Sequence, residues 1–331
     1  MTQLPLRPLA RVRYSLCLTP GRKGLHLVKY THSPAGPLSE RDAAWFEEVA
    51  DAAARGRSAL AARTGDVALS LIAATDAGVP GEVAGRRLLA TDPRPDVGAT
   101  ALTLTALARS GNAARQRSFG TVHGAINFLL ATQNRDGGWP AVAHDARPDP
   151  SCPAVTARAL EALGHFGFRV GQPPVDEAVT FLLARQDESG EWLSLQTMWL
   201  VVAGFREIGF DVFALPVRRA VRWLKESQNE DGGWGGSSAP ETAWAVLALL
   251  AAGEGESAEV RAGAEFLVGT QHANGEWTAD ELAGRGFPLM ALGRYLSERT
   301  KPAAARKGLV RTDAGHRASG PKSHRHTLAE M

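Results

Sequence analysis

One pattern, present four times, limits what this chain can fold into: a Gln, a Gly four residues later and a Trp two residues beyond that. The copies are Gln133, Gly137 and Trp139; Gln186, Gly190 and Trp192; Gln228, Gly232 and Trp234; and Gln271, Gly275 and Trp277. Each follows an aromatic-Leu pair, at Phe128, Phe181, Trp223 and Phe266. A repeat of this period is one supersecondary unit that buries its apolar face by stacking on its neighbours. The aromatic-Leu run reads as the end of an amphipathic helix. Gly is then expected as the left-handed residue of a helix C-cap, where a Cβ would be penalised. A Gln at that point can donate and accept, so it can tie its own helix to the next element while the Trp ring covers the joint. The glutamines lie 53, 42 and 43 residues apart, which leaves room for one further helix in each repeat. The unit is therefore a helix pair.

The second helices share an opening: Gly98-Ala-Thr100-Ala, Ala154-Val-Thr156-Ala, Leu195-Gln-Thr197-Met and Pro240-Glu-Thr242-Ala, each continuing as a run rich in Ala, Leu and Val. Helices apolar nearly all round are buried, whereas Arg218, Arg219, Arg222 and Lys225 give a first helix a charged face that belongs outside. An inner and an outer layer follow.

Upstream, Val12 to Leu18 and Gly24 to Tyr30 alternate apolar and polar around Thr19-Pro-Gly21, the pattern of a β-hairpin. Ser39 is an expected N-cap for a helix from about Glu40, with Phe46, Val49 and Ala53 on one face. Shorter helical runs are expected at 66–77 and 81–90, which brings the count to about six pairs, enough to close a ring. From Lys301 onward seven Lys/Arg face two acids, and large apolar residues are scarce, so this basic tail cannot offset its ordering entropy and is expected to be disordered. The expected organisation is an N-terminal extension at 1–38, a helical body at 39–299 and a tail at 300–331.

With a formal net charge of +2, 44% hydrophobic residues and two cysteines, the chain has a globular composition and no disulfide framework, and nothing in it points to nucleic acid. Residues 1–20 lack the apolar run of a signal peptide, so a cytoplasmic location is expected, with the basic tail as a point of peripheral contact with anionic lipid.

The Gln-to-Trp repeats on alternating inner and outer helices resemble the squalene-hopene and oxidosqualene cyclases, the class II terpenoid cyclases. The similarity runs in order from Asp96 to Tyr295, through Asp96-Val-Gly98-Ala-Thr100, Asp149-Pro-Ser-Cys152-Pro, Glu241-Thr-Ala-Trp244, Gly286-Phe-Pro288 and Leu292-Gly-Arg-Tyr295. It implies an all-α fold, an α/α barrel whose hollow encloses an apolar pocket for a hydrophobic isoprenoid, with no cofactor and no metal. In that family the reaction starts when an Asp at an inner-helix start protonates an alkene or epoxide. This chain carries Gly98 at the donor's position and Ala99 at the Asp that follows, and keeps only Asp96 of the set. Glu241, one residue before Thr242, stands where Ala99 stands before Thr100, so Asp96 and Glu241 are the candidate acids. Thr100, Trp199, Trp244, Phe287 and Tyr295 are the candidate lining residues, the rings facing developing cations.

The family's aromatic-rich insertions after Trp192 and Phe287 are absent here. The expected activity is intramolecular cyclisation or isomerisation of a polyprenyl or triterpenoid-type chain. The alternatives are a noncatalytic barrel that binds an isoprenoid or a partner protein, and a relative of the protein prenyltransferase β subunits. The last would draw a zinc site from Asp149, Cys152 and His144 or His165.

Overall fold

The computed structural model describes residues 40–61, 75, 96–110, 119–141, 149–277 and 283–300. All lie within one compact unit, 34–331. The expected hairpin, the basic tail and nearly all of the runs at 66–77 and 81–90 fall outside the described residues.

Those residues form ten helices in two layers. The inner layer is α2 (Val97–Arg109), α4 (Pro153–His165), α6 (Leu195–Glu207), α8 (Ala239–Ala251) and α10 (Ala283–Thr300), each packed on the next in that order. The outer layer is α3 (Phe119–Thr132) against α2, α5 (Pro173–Leu183) against α4, and α7 (Leu215–Glu226) and α9 (Ala258–Gly269) against α8. The first helix, α1 (Glu40–Ala61), packs on α10 and α9.

Side-chain character sorts the layers as expected. Every residue from Ala245 to Ala251 of α8 is buried, as is every residue from Thr197 to Phe205 of α6. On α7, by contrast, Val217, Ala220, Val221 and Leu224 form a buried stripe at helical spacing while Arg218, Arg219 and Arg222 are exposed. Ser194, Ser238 and Ser257 cap α6, α8 and α9 by accepting the N–H of Thr197, Glu241 and Val260, and α4, α5 and α7 open with Pro in the first turn, where the missing N–H costs nothing.

The four repeats build four equivalent joints. Gln133 Nε2 donates to the Gly137 carbonyl and to Pro174 O at the start of α5, both at 2.9 Å. Gln186 does the same to Gly190 O and to Pro216 O of α7, at 3.0 and 2.8 Å. Gln228 reaches Gly232 O and Glu259 O of α9, at 2.9 and 3.0 Å. Each Trp is buried, and its indole N–H donates to the carbonyl ten residues earlier: Trp139 to Leu129, Trp192 to Leu182, Trp234 to Leu224 and Trp277 to Leu267. Thr156 and Thr242, noticed in the sequence as helix openings, accept the backbone N–H of Trp139 and Trp234 at 2.9 and 3.1 Å, which joins each inner helix to the turn before it.

The glycines correct one expectation. Gly137, Gly190, Gly232 and Gly275 do have left-handed φ, from 84° to 106°, but the helices end before the glutamines and the glycines lie in separate turns. In the first of these, Gly137 N–H donates to Asn134 O while Asn134 N–H donates to Gly138 O, and the other three copies repeat both bonds. This is the tight turn with a left-handed bulge residue. The polar run after each helix closes its own turn and does not extend the helix cap. Each glycine also touches the backbone of the next outer helix: a Cβ on Gly190 would lie 2.6 Å from the Arg219 carbonyl carbon, and one on Gly232 would lie 2.8 Å from Ala262 O.

Candidate functional site

The inner helices offer three places where chemistry could occur: their N-terminal ends, the space they enclose, and their C-terminal ends.

Asp96 and Glu241 stand at the N-terminal ends of α2 and α8. Asp96 is exposed and is the N-cap of α2, its Oδ1 accepting the Ala99 N–H at 2.8 Å. Glu241 folds back over Gly235 and Gly236, and its Oε2 accepts from Ser238 Oγ at 2.8 Å and from Gly236 N–H at 3.1 Å. Each carboxylate therefore serves the helix end it sits on, and the two stand three places apart round the inner layer. At the position matched to the family's donor, Gly98 leaves only room: a Cβ there would meet Asp96 Oδ1 at 3.4 Å and Val155 at 3.8 Å.

Three of the five candidate lining residues come together. Phe287 of α10 meets Trp199 of α6 with ring centroids 5.4 Å apart and Trp244 of α8 at 5.5 Å, both edge to face. Trp199 and Phe287 touch although α8 stands between their helices. The indole nitrogens of Trp199 and Trp244 are buried without a hydrogen-bond partner among the described residues. Thr100 and Tyr295 are placed elsewhere. Thr100 is buried and donates its hydroxyl to Asp96 O within its own helix, at 2.8 Å. Tyr295 faces α1, where its ring lies 6.1 Å from Phe46 and its oxygen accepts the Trp45 indole N–H at 3.3 Å.

The residues considered for zinc are not assembled. Cys152 is the N-cap of α4 and His165 its last residue. At about 1.5 Å per residue the thirteen-residue helix holds them roughly 20 Å apart. His144 lies outside the described residues, and among those described no three His, Cys, Asp or Glu side chains converge as a metal set.

The C-terminal ends carry a feature that the sequence reading missed. A cavity of about 260 Å³ is lined there by Arg109 of α2, Glu161 of α4, Arg206 and Glu207 of α6, and Arg294 and Glu298 of α10. Neither Asp96 nor Glu241 borders it. The available signal was the presence of charged residues near the ends of helices that are otherwise apolar. Among the described residues no helix is long and apolar enough to cross a membrane.

A family model described as the squalene-hopene cyclase C-terminal domain matches residues 88–304. Similar proteins include the squalene-hopene cyclase of Zymomonas mobilis, 30% identical over an alignment of 243 positions that covers 62% of this chain and 37% of that protein. The squalene-hopene cyclase of Alicyclobacillus acidocaldarius is 32% identical over an alignment of 252 positions that covers 61% of this chain and 40% of its own length. This chain thus spans well under half the length of these relatives. In fold, it resembles a type II terpene cyclase from Scytonema solved with its substrate geranylgeranyl dihydroxybenzoate, with a TM-score of 0.59, 14% identity, and coverage of 76% of this chain and 97% of that one. The helical repeats form the α/α barrel of such enzymes, and the chain belongs to the squalene-hopene cyclase C-terminal domain family.

Proposed function

We propose that the protein takes a hydrophobic isoprenoid into the space enclosed by its inner helices and acts on it as a terpenoid cyclase, by intramolecular cyclisation or isomerisation. The observation that carries this reading is the meeting of Trp199, Trp244 and Phe287, drawn from three inner helices. Ring faces stabilise carbocations without reacting with them, which is what a cyclising chain needs as charge moves along it. The substrates of the relatives support the same class of guest.

Initiation requires a proton donor. With Gly98 and Ala99 at the family's two other acidic positions, Asp96 is the first candidate and Glu241 the second. A second reading is favoured by a specific observation: both carboxylates accept hydrogen bonds at their own helix ends, which are structural roles. On that reading the barrel binds an isoprenoid without turning it over.

Incubation of the purified chain with farnesyl, geranylgeranyl and squalene-type substrates separates the two. Cyclised product that disappears in Asp96→Asn or Glu241→Gln supports the enzyme and assigns the acid. Saturable binding without product, weakened by Trp199→Ala, supports the carrier. Neither binding nor product in the intact chain would sink both.

A further inference from the structure

We propose that the C-terminal end of the barrel is a second binding site, and that it takes a small organic ammonium ion. The six ionisable groups on the wall of the 260 Å³ cavity, three Arg and three Glu, cancel formally. The sign is decided by the backbone. Arg109 ends α2, Arg206 and Glu207 lie in the last turn of α6, and Leu250 and Ala251 end α8, so several helix C-termini converge on the cavity. Each such end carries about half a negative charge. The field inside favours a cation.

The wall's own pairings leave one carboxylate over. Arg206 donates to Leu250 O at 3.1 Å and lies 3.6 Å from Glu298, and Arg109 and Arg294 have further interactions of their own. Glu207 lies 3.3 Å from His165 Nδ1. Glu161 is different. Its side chain is only 9% exposed, and its nearest ionisable partner among the described residues is His165 Nε2, at 3.9 Å, which is too long for a hydrogen bond. That nitrogen is itself buried without a hydrogen-bond partner among the described residues. Its carboxylate borders the cavity and has no hydrogen-bond donor among the described residues, so a ligand that brings one is favoured there.

An ammonium brings a positive charge and three N–H donors, and so satisfies Glu161 and the helix ends together. An anion would add to the negative helix ends and leave Glu161 without a donor. The volume lies just below the range of about 300–1,000 Å³ usual for ligand pockets, which suits a short alkylammonium group.

The test uses the full chain with butylammonium as the probe, and butanol and butyrate as neutral and anionic counterparts, read by calorimetry and by thermal shift. The expected result is saturable binding of butylammonium alone, not displaced by farnesol and at least about tenfold weaker in Glu161→Gln. Binding of butyrate in its place would show that the arginines govern the cavity and would overturn the proposal. So would the absence of saturation, or equal affinity in Glu161→Gln. The comparison of three probes on the unmodified protein stands even if that variant folds poorly.

Discussion

Gln271 Nε2 donates to the backbone carbonyl of Ala52, 219 residues earlier in the chain, at 2.9 Å. Its other bond, at 3.1 Å, goes to Gly275 O, the same internal contact the other three glutamines make. Where those glutamines reach the first turn of the next outer helix, Gln271 reaches the middle of α1, and Gly275 sits against the Arg55 carbonyl in the same way. The first described helix therefore fills the outer place after α9, and the last joint is made between elements remote in sequence.

This arrangement predicts that Gln271→Ala destabilises the protein by about 1–3 kcal/mol, the range for leaving buried polar groups unpaired. Hydrogen exchange should quicken in α1 and leave α5 unchanged, with Gln133→Ala giving the reverse. Equal acceleration in both helices from either variant would refute the assignment of each joint to one partner.

Two glycines should respond to the same substitution in opposite directions. Gly137 combines a φ of 84° with contact on the Glu177 backbone, so Gly137→Ala should cost more than about 2 kcal/mol in urea unfolding. Gly120, in the first turn of α3, has nothing among the described residues within 4 Å of the position its Cβ would take. Gly120→Ala should be neutral or stabilise by up to about 1 kcal/mol, since it removes freedom from the unfolded chain.

Asp96 offers a clean separation of cap from acid. Asn caps helices about as well as Asp, so Asp96→Asn should leave the melting temperature nearly unchanged, whereas Asp96→Ala should cost about 0.5–2 kcal/mol. If Asp96 is the proposed proton donor, Asp96→Asn abolishes product formation at unaltered stability. Glu241→Gln should lower stability by about 0.3–1 kcal/mol through the lost charge at the start of α8. Full turnover in both conservative variants would remove both acids from the mechanism.

Glu254, just after α8, accepts from Lys225 Nζ at 2.8 Å and from Arg218 at 2.7 Å, tying α7 to that turn. Burial pushes its carboxyl upward, and the hydrogen bonds from Lys225 and Arg218 more than offset this, so its pKa lies below the ordinary 4.5. A carboxylate depressed on folding contributes stability at pH values above its unfolded pKa and loses it as pH falls through the lower folded value. The difference in unfolding free energy between the unmodified protein and Glu254→Gln should therefore be present at neutral pH and shrink on acidification below about pH 4.5. A difference that stays constant across that window would contradict the coupling.

The joints were legible because their chemistry is local. Gln, Gly and Trp fall within seven residues, the left-handed turn needs a residue without Cβ, and the Trp indole bonds back to its own helix ten residues away. Layer assignment was legible for a similar reason: apolar residues on all sides of α8 and on one stripe of α7 can be counted along the chain. Even the misplacement of the glycine, read as a helix cap and found in the following turn, was an error of a few residues inside a correctly identified unit.

What the sequence by itself determined was thus the repeat unit and the sidedness of its helices. Only the tertiary structure decided that α1 takes the fourth joint, that Trp199 and Phe287 meet across α8 while Tyr295 turns to α1, and that Glu161, Arg206 and Glu298 border one cavity. The physical reason is that periodicity fixes which face of a helix is buried but not what it is buried against. Those partners are set by closing the layers on one another, which brings together residues that no local pattern connects.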